Sequence, residues 1–93
     1  MRNYEMMIIF DEDVLAFEEC RKFVNSTLSA NGFEIIDEKD MGVRDLAYEI
    51  NRKRRGHYNL VHYKGEAAGL QEAARLFKLN NCIMRYINLN QEE

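Results

Sequence analysis

Apolar residues occupy every second position near the start of the chain and predict a β-strand over Arg2–Phe10. One face of this strand is wholly apolar and consists of Tyr4, Met6, Ile8 and Phe10. The other face is only partly polar, because Met7 and Ile9 lie on it. We therefore expect the first face in a core and the second on a surface that still carries apolar side chains.

The apolar period then becomes helical, with side chains three or four residues apart until Asn31-Gly32. The stripe of this first predicted helix consists of Val14, Phe17, Cys20, Val24 and Leu28. Three acidic residues, Asp11–Asp13, immediately precede the stripe. Carboxylates stabilise the amino end of a helix, so we expect these acids to cap it.

A long extended segment runs from Phe33 to Ile50. Its end alternates clearly, with Leu46, Tyr48 and Ile50 on one face. Gly42 interrupts the segment, so the pattern predicts one bent strand whose far end projects past its neighbours. We expect the basic run Arg52–Arg55 to form the hairpin turn that follows.

The remaining elements are a central strand over Gly56–Lys64, a helix over Ala67–Leu79 and a strand over Cys82–Leu89. The central strand is apolar on both faces, with Tyr58 and Leu60 on one and Val61 and Tyr63 on the other, and its pattern does not say which pair is buried. The second helix has a buried stripe of Leu70, Ala73, Ala74 and Phe77.

The predicted order β-α-β-β-α-β is typical of the ferredoxin-like α+β fold, in which two helices cover one face of a four-stranded antiparallel sheet. A chain of 93 residues accommodates one such domain, over residues 1–93. The second face of the sheet would be open. Apolar surface on an open face often binds a partner.

Composition excludes several classes of protein. Hydrophobic residues make up 46% and charged residues 31%, which is too apolar for disorder and too charged for a membrane protein. The longest apolar run, Met6–Phe10, is too short for a membrane span or a secretory signal, so we expect a soluble protein of the cytoplasm. A core this small leaves little room for a deep catalytic cavity.

Cysteine and histidine give no pattern of a metal or catalytic site. Cys20 and Cys82 lie far apart without any CxxC spacing, and we expect both to be reduced and buried. His57 and His62 are separated by an odd number of positions, so on one strand they point to opposite faces. With no Ser-His-Asp set or Cys-His pair in view, we expect no metal, no cofactor, no small-molecule substrate and no enzyme activity.

Charge divides the chain into two unlike parts. Residues 1–41 carry four basic and ten acidic side chains, a net of −6, whereas residues 42–93 carry nine basic and six acidic, a net of +3. Four of those cations are consecutive, Arg52–Arg55. The run is either a solvated hairpin or a phosphate contact, since clustered cations bind polyanions through counterion release.

Two other functions of this fold agree poorly with the sequence. An RNA-recognition module stacks bases on aromatic residues of its third strand, but the corresponding positions here are His57, Asn59 and His62. An acylphosphatase-like hydrolase needs a loop that holds phosphate after the first strand. Here that loop is Asp11–Asp13, which would repel an anion.

Three segments resemble one family, the bacterial small-subunit ribosomal protein six. Met1–Glu5 resembles its amino terminus, Gly42–Ile50 resembles its signature Gly-x-Arg-x-Leu-Ala-Tyr-Pro-Ile, and Asn80–Arg85 resembles its Asn-Asp-x-Val-x-Arg segment. Two residues depart from the pattern: Glu49 stands where the family usually has proline, and Asp45 where it usually has a basic residue. The Asp45 departure removes a possible phosphate contact.

The resemblance implies a structural protein of the ribosome that binds the central domain of small-subunit (16S) ribosomal RNA together with small-subunit protein eighteen. It implies RNA contacts at Arg2, Tyr4, Arg52, Lys53, Arg54, Arg55, His57 and Arg85. The protein-partner interface is expected at Arg44, Leu46, Tyr48 and Ile50, an apolar row beside an open strand edge. The alternative is a small regulatory or ligand-binding domain that assembles through its open sheet face. That domain would be an oligomer without RNA affinity, whereas the ribosomal protein would be a monomer when isolated.

Overall fold

A computed structural model describes residues 2–50 and 52–92. Met1, the first residue of the segment that resembles the family's amino terminus, lies outside the described residues. The strands are β1 (Arg2–Phe10), β2 (Glu34–Ile50), β3 (Lys53–Gly65) and β4 (Ile83–Glu92). The α-helices are α1 (Phe17–Ala30) and α2 (Leu70–Lys78), the second preceded by a 3₁₀ turn at Ala67–Gly69. The predicted order of elements is confirmed.

The four strands form one antiparallel sheet in the order β2-β3-β1-β4. Both helices pack on the same face, where Tyr4, Met6, Ile8 and Phe10 meet Val24 and Leu28 of α1 and Phe77 of α2. Val61 and Tyr63 also face the helices and are buried. Tyr58 and Leu60 therefore lie on the open face, which settles the alternative that the sequence left open.

The first helix begins later than its acidic residues suggested. It starts at Phe17 after the N-cap position Ala16, and Val14 is exposed, so the prediction that Asp11–Asp13 cap the helix is wrong. The Asp11 carboxylate instead accepts a hydrogen bond from the backbone N–H of Asp13, 3.0 Å away. Such local bonds form a turn that competes with helix formation.

The β2–β3 hairpin confirms the predicted bend and corrects the predicted turn. Gly42 has a positive φ of 80° and the β2–β3 register shifts between Asp40 and Gly42. The basic run is not a loop, because Lys53–Arg55 belong to β3 and Arg52 alone of the four occupies the turn, with φ 67°. The last β3 residue that pairs with β1 at this end is His57, so the hairpin tip projects beyond β1 as predicted.

Cys20 and Cys82 are joined in a disulfide, so the prediction that they are reduced is wrong. The prediction that they are buried is confirmed, since both are 0% exposed. The two residues are 62 positions apart in sequence, but their Cα atoms lie 6.2 Å apart in the fold. The fold therefore brings together two cysteines that are distant in the sequence.

Candidate binding surface

An apolar cavity of about 210 Å³ lies on the open face of the sheet, at the hairpin end. All four strands contribute to it. Its lining residues are Met7, Ile9, Leu46, Ala47, Tyr48, Ile50, Tyr58, Arg85 and Ile87. The sequence pattern placed Met7 and Ile9 on the open face and left Tyr58 as one of two alternatives there, but it did not predict that these residues line one cavity with the end of β2.

The projecting part of β2 forms one wall of this cavity. Leu46 and Ile50 are half-buried, whereas Tyr48 is 79% exposed. Gly56 on β3 allows the wall to approach β1, because a Cβ there would lie 2.4 Å from Cγ2 of Ile9 and 3.6 Å from Cδ2 of Leu46. Tyr48 is therefore an aromatic side chain that the chain's own core leaves uncovered.

Outside the cavity, the open face carries Leu60 and a group of charged side chains. His62 lies between Glu5 and Asp37, at 3.4 and 3.5 Å, and Lys64 pairs with Glu34 at 3.3 Å. These groups bound the apolar cavity on the side away from the hairpin. The open face thus combines an apolar half with a polar half, and the apolar half is the better candidate for a protein partner.

Three cations of the hairpin, Lys53, Arg54 and Arg55, are paired with acids. Arg54 Nε lies 3.5 Å from Glu49, and Arg55 Nε lies 3.2 Å from Asp45. Lys53 pairs with Asp13 of the β1–α1 loop. The acids Asp45 and Glu49 are the two departures from the family pattern, and their contacts explain what they do here: they partly neutralise the basic hairpin.

Arg85 lies beside the hairpin end of the open face. It is exposed, pairs in register with Ile9 and lines the apolar cavity. Arg2 pairs with Gly65 at the opposite end of β1, eight strand steps or about 26 Å from Phe10. The structure therefore brings Arg85 close to the hairpin but places Arg2 far from it.

Two predicted RNA contacts are not on the open surface. Tyr4 is 2% exposed and stacks on Tyr63 inside the core, with ring centroids 5.3 Å apart, so its assignment as a surface contact is corrected. His57 points to the helix side, and its side chain is 12% exposed. Its ring stacks on Phe17, 3.7 Å away with planes 5° apart.

His57 is held between two carboxylates. Its Nδ1 lies 2.7 Å from Glu12 Oε1 and its Nε2 lies 2.6 Å from Asp40 Oδ1. Desolvation by burial opposes protonation, but the hydrogen bonds to Asp40 and Glu12 outweigh it and raise the pKa of His57 above its ordinary value. A protonated ring donates from both nitrogens and so bonds both carboxylates. This contact ties the β1–α1 loop to β2 and β3, and no sequence motif signals it.

We expect the protein to lose stability as the pH rises above about 6.5 and passes through the folded pKa of His57. The pKa of His57 is higher in the folded state than its ordinary 6.5, so its contribution is complete below that value. The contribution is lost as the pH rises through the folded pKa. The lowered pKa of Asp40, due first to its bond with His57, sets the opposite limit: that carboxylate's contribution is lost as the pH falls through its folded pKa. Urea unfolding over a pH series measures both limits.

His57→Gln is expected to flatten the upper part of this profile, since glutamine does not titrate. His62→Gln is the matched control, because the ring of His62 is more exposed and its carboxylate contacts are longer. A native protein whose urea midpoint stays constant over this range would contradict the assignment.

Within residues 2–50 and 52–92, no group of three or more His, Cys, Asp or Glu side chains is arranged to hold a metal ion. No helix of that described part is long and apolar enough to cross a membrane.

Comparison with known proteins identifies the relatives of this chain. A family model described as Ribosomal protein S6 matches residues 3–90. The small ribosomal subunit protein bS6 of Mycoplasma mycoides subsp. mycoides is 33% identical over 92 residues, which cover 99% of this chain and 66% of that relative. The crystal structure of 30S ribosomal protein S6 from Thermotoga maritima superposes with a TM-score of 0.87 at 25% identity, covering 95% of this chain and 85% of that one.

Proposed function

The chain belongs to the ribosomal protein S6 family, and from this premise we propose that it is a structural protein of the bacterial small ribosomal subunit. In this role it binds the central domain of 16S ribosomal RNA together with small-subunit protein eighteen. The observation that carries the proposal is the juxtaposition of an apolar cavity and a basic hairpin at one end of the sheet. A protein partner and an RNA can occupy these two adjacent surfaces at the same time.

The partner interface in this proposal is the projecting part of β2 with the cavity beside it. Leu46, Tyr48 and Ile50 supply apolar contacts, and Tyr48 is the type of exposed aromatic anchor that dominates many interfaces. β2 is also an edge strand of the sheet, so its outer backbone groups can pair with an added segment. Arg44, whose Nε donates to the carbonyl of Met41, lies at the start of this wall.

The RNA surface in this proposal consists of the hairpin cations and Arg85. The ion pairs of Arg54 and Arg55 are exposed, and such pairs contribute little in water. Phosphate oxygens can therefore compete with Glu49 and Asp45 for these guanidinium groups. RNA helices hide their base edges, so we expect contacts to phosphate and 2′-hydroxyl groups, with RNA shape as the discriminator.

The remaining predicted contacts, Tyr4, His57 and Arg2, are not part of this surface. Tyr4 supports the core, and His57 fastens the hairpin to the β1–α1 loop. Arg2 stays a prediction as an RNA contact, at a second point of the sheet. The proposed role also implies a cytoplasmic protein on the ribosome, a non-enzyme and a monomer when isolated.

Reconstitution tests the proposal directly. Labelled central-domain RNA is titrated with this chain, with protein eighteen, and with both, and the products are sedimented. We expect a ternary complex that contains one copy of this chain. A stable oligomer of the isolated chain that never joins the RNA would overturn the proposal and favour the regulatory ferredoxin-like alternative.

Replacing Arg52, Lys53, Arg54 and Arg55 by Ala is expected to weaken RNA binding while the fold is kept. The slope of log affinity against log salt should shrink by at most roughly 3 to 4 units, taking about 0.7 to 0.9 per lost phosphate contact. Filter binding at a series of salt concentrations measures this slope. Arg75→Ala with Lys78→Ala is the matched control, since these cations lie on α2 behind the sheet. An unchanged slope in the hairpin variant would mean that the run is a solvated turn.

A further inference from the structure

The disulfide between Cys20 and Cys82 joins α1 to the residue that precedes β4. The bond closes a long loop that contains most of the chain, because the two residues are 62 positions apart. Both are 0% exposed and belong to the apolar core. Cross-linking such a loop restricts the unfolded chain strongly, whereas two buried thiols at the same positions would still pack as small apolar groups.

The backbone of Cys82 also makes hydrogen bonds with two neighbouring loops. Its carbonyl accepts a hydrogen bond from the N–H of Asp11, 2.8 Å away, and its own N–H donates to the Asn80 side chain at 3.0 Å. Asp11 begins the loop that carries Glu12, one of the two carboxylates on His57. Arg85 follows Cys82 by three residues on β4. The disulfide therefore lies where α1, the β1–α1 loop and the start of β4 meet.

We propose that Cys20 and Cys82 form a reversible thiol–disulfide couple that sets how readily the start of β4 opens. On oxidation the two thiols lose two protons and two electrons and form the S–S bond. A low-molecular-weight disulfide such as oxidised glutathione accepts them and becomes two thiols. The folded state persists in both forms, but the reduced form opens more often. Exchange is slow in either direction, because both sulfurs must first become accessible.

The test compares the full chain after treatment with dithiothreitol and after treatment with oxidised glutathione. Counting thiols in denaturant gives the redox state, urea unfolding gives global stability, and hydrogen exchange gives local opening. We expect an unfolding equilibrium constant roughly 1,000-fold lower in the oxidised form, from the loop-closure entropy of a loop this long. We also expect slower exchange at the Asp11 amide, whose acceptor is the Cys82 carbonyl.

A Cys20→Ala, Cys82→Ala variant is the matched control, because alanine keeps both positions small and apolar. Its unfolding and exchange should not respond to either reagent. Should this variant fail to fold, the two redox forms of the native chain still give the comparison. The proposal is overturned when the folded chain forms no intramolecular disulfide with oxidised glutathione, or when both redox forms unfold and exchange alike. Neither outcome depends on whether the chain binds RNA.

Discussion

Protein eighteen and ribosomal RNA are expected to bind this chain with positive coupling, each raising the affinity of the other by about 5- to 150-fold. The chain alone attracts RNA weakly, since its net charge is −3 and the acids of residues 1–41 cancel the field of the hairpin beyond about 8 Å at physiological salt. Asp45 and Glu49 also hold Arg55 and Arg54 in exposed ion pairs. A basic partner beside β2 would neutralise these acids and leave the guanidinium groups to phosphate.

Titrating labelled RNA with the chain alone, with the partner alone and with both measures the coupling. Tyr48→Asp should abolish it by placing a charge in the apolar interface, while the weak RNA affinity of the isolated chain stays nearly unchanged. Ile36→Asp is the matched control, because Ile36 is an exposed apolar residue of β2 outside the cavity. Equal RNA affinity of the chain alone and of the pair would refute the cooperative interpretation.

The alternation of apolar and polar side chains predicts the architecture, because this small sheet has one strongly apolar face. The alternation of β1 identifies the core side without ambiguity, and the glycine at position 42 marks the bend of β2. The apolar period does not predict the local structure where two conformations compete over a few residues. The acids Asp11–Asp13 favour a helix cap and a turn equally well, and the turn forms because Asp11 bonds the N–H of Asp13.

Long-range contacts explain the other differences between sequence and structure. Neither the Cys20–Cys82 bond nor the position of His57 between Glu12 and Asp40 has a local signal, since the partners come from distant elements. The basic run was predicted as a turn from its charge. Lys53–Arg55 instead continue β3, where Lys53 pairs in register with Ile50 and Arg55 with Asp45 across the hairpin.

In the candidate site too, some residues follow from the local sequence pattern and others depend on contacts between distant elements. Leu46, Tyr48 and Ile50 were predictable as a row, because alternation alone places them on one face. Tyr4 was assigned to RNA from the family resemblance, although its strand parity already placed it with Met6 and Ile8. Core packing keeps Tyr4 on the buried face, because moving its large ring out of this core would leave a cavity.

The buried position of Tyr4 gives the second large expected effect. Tyr4→Ala should lower the free energy of unfolding by about 3 to 5 kcal/mol, since it removes an aromatic ring that packs on Phe33 and Tyr63. Tyr4→Phe should act in the opposite direction. The Tyr4 hydroxyl is buried without a hydrogen-bond partner among the described residues, so its removal should raise stability by about 1 kcal/mol.

Tyr63→Phe is the matched control, because the two tyrosines stack on each other but differ in their hydroxyl groups. Tyr63 donates a hydrogen bond to Oδ1 of Asn88 at 2.8 Å, so its loss should lower the free energy of unfolding by about 1 kcal/mol. Urea unfolding of the three variants gives the order Tyr4→Phe, Tyr63→Phe, Tyr4→Ala from most to least stable. RNA titration of Tyr4→Phe with the partner present should match that of the native chain, since its hydroxyl does not reach the surface. A loss of RNA affinity in Tyr4→Phe at unchanged stability would instead place this hydroxyl at the RNA and restore the assignment that the packing contradicts.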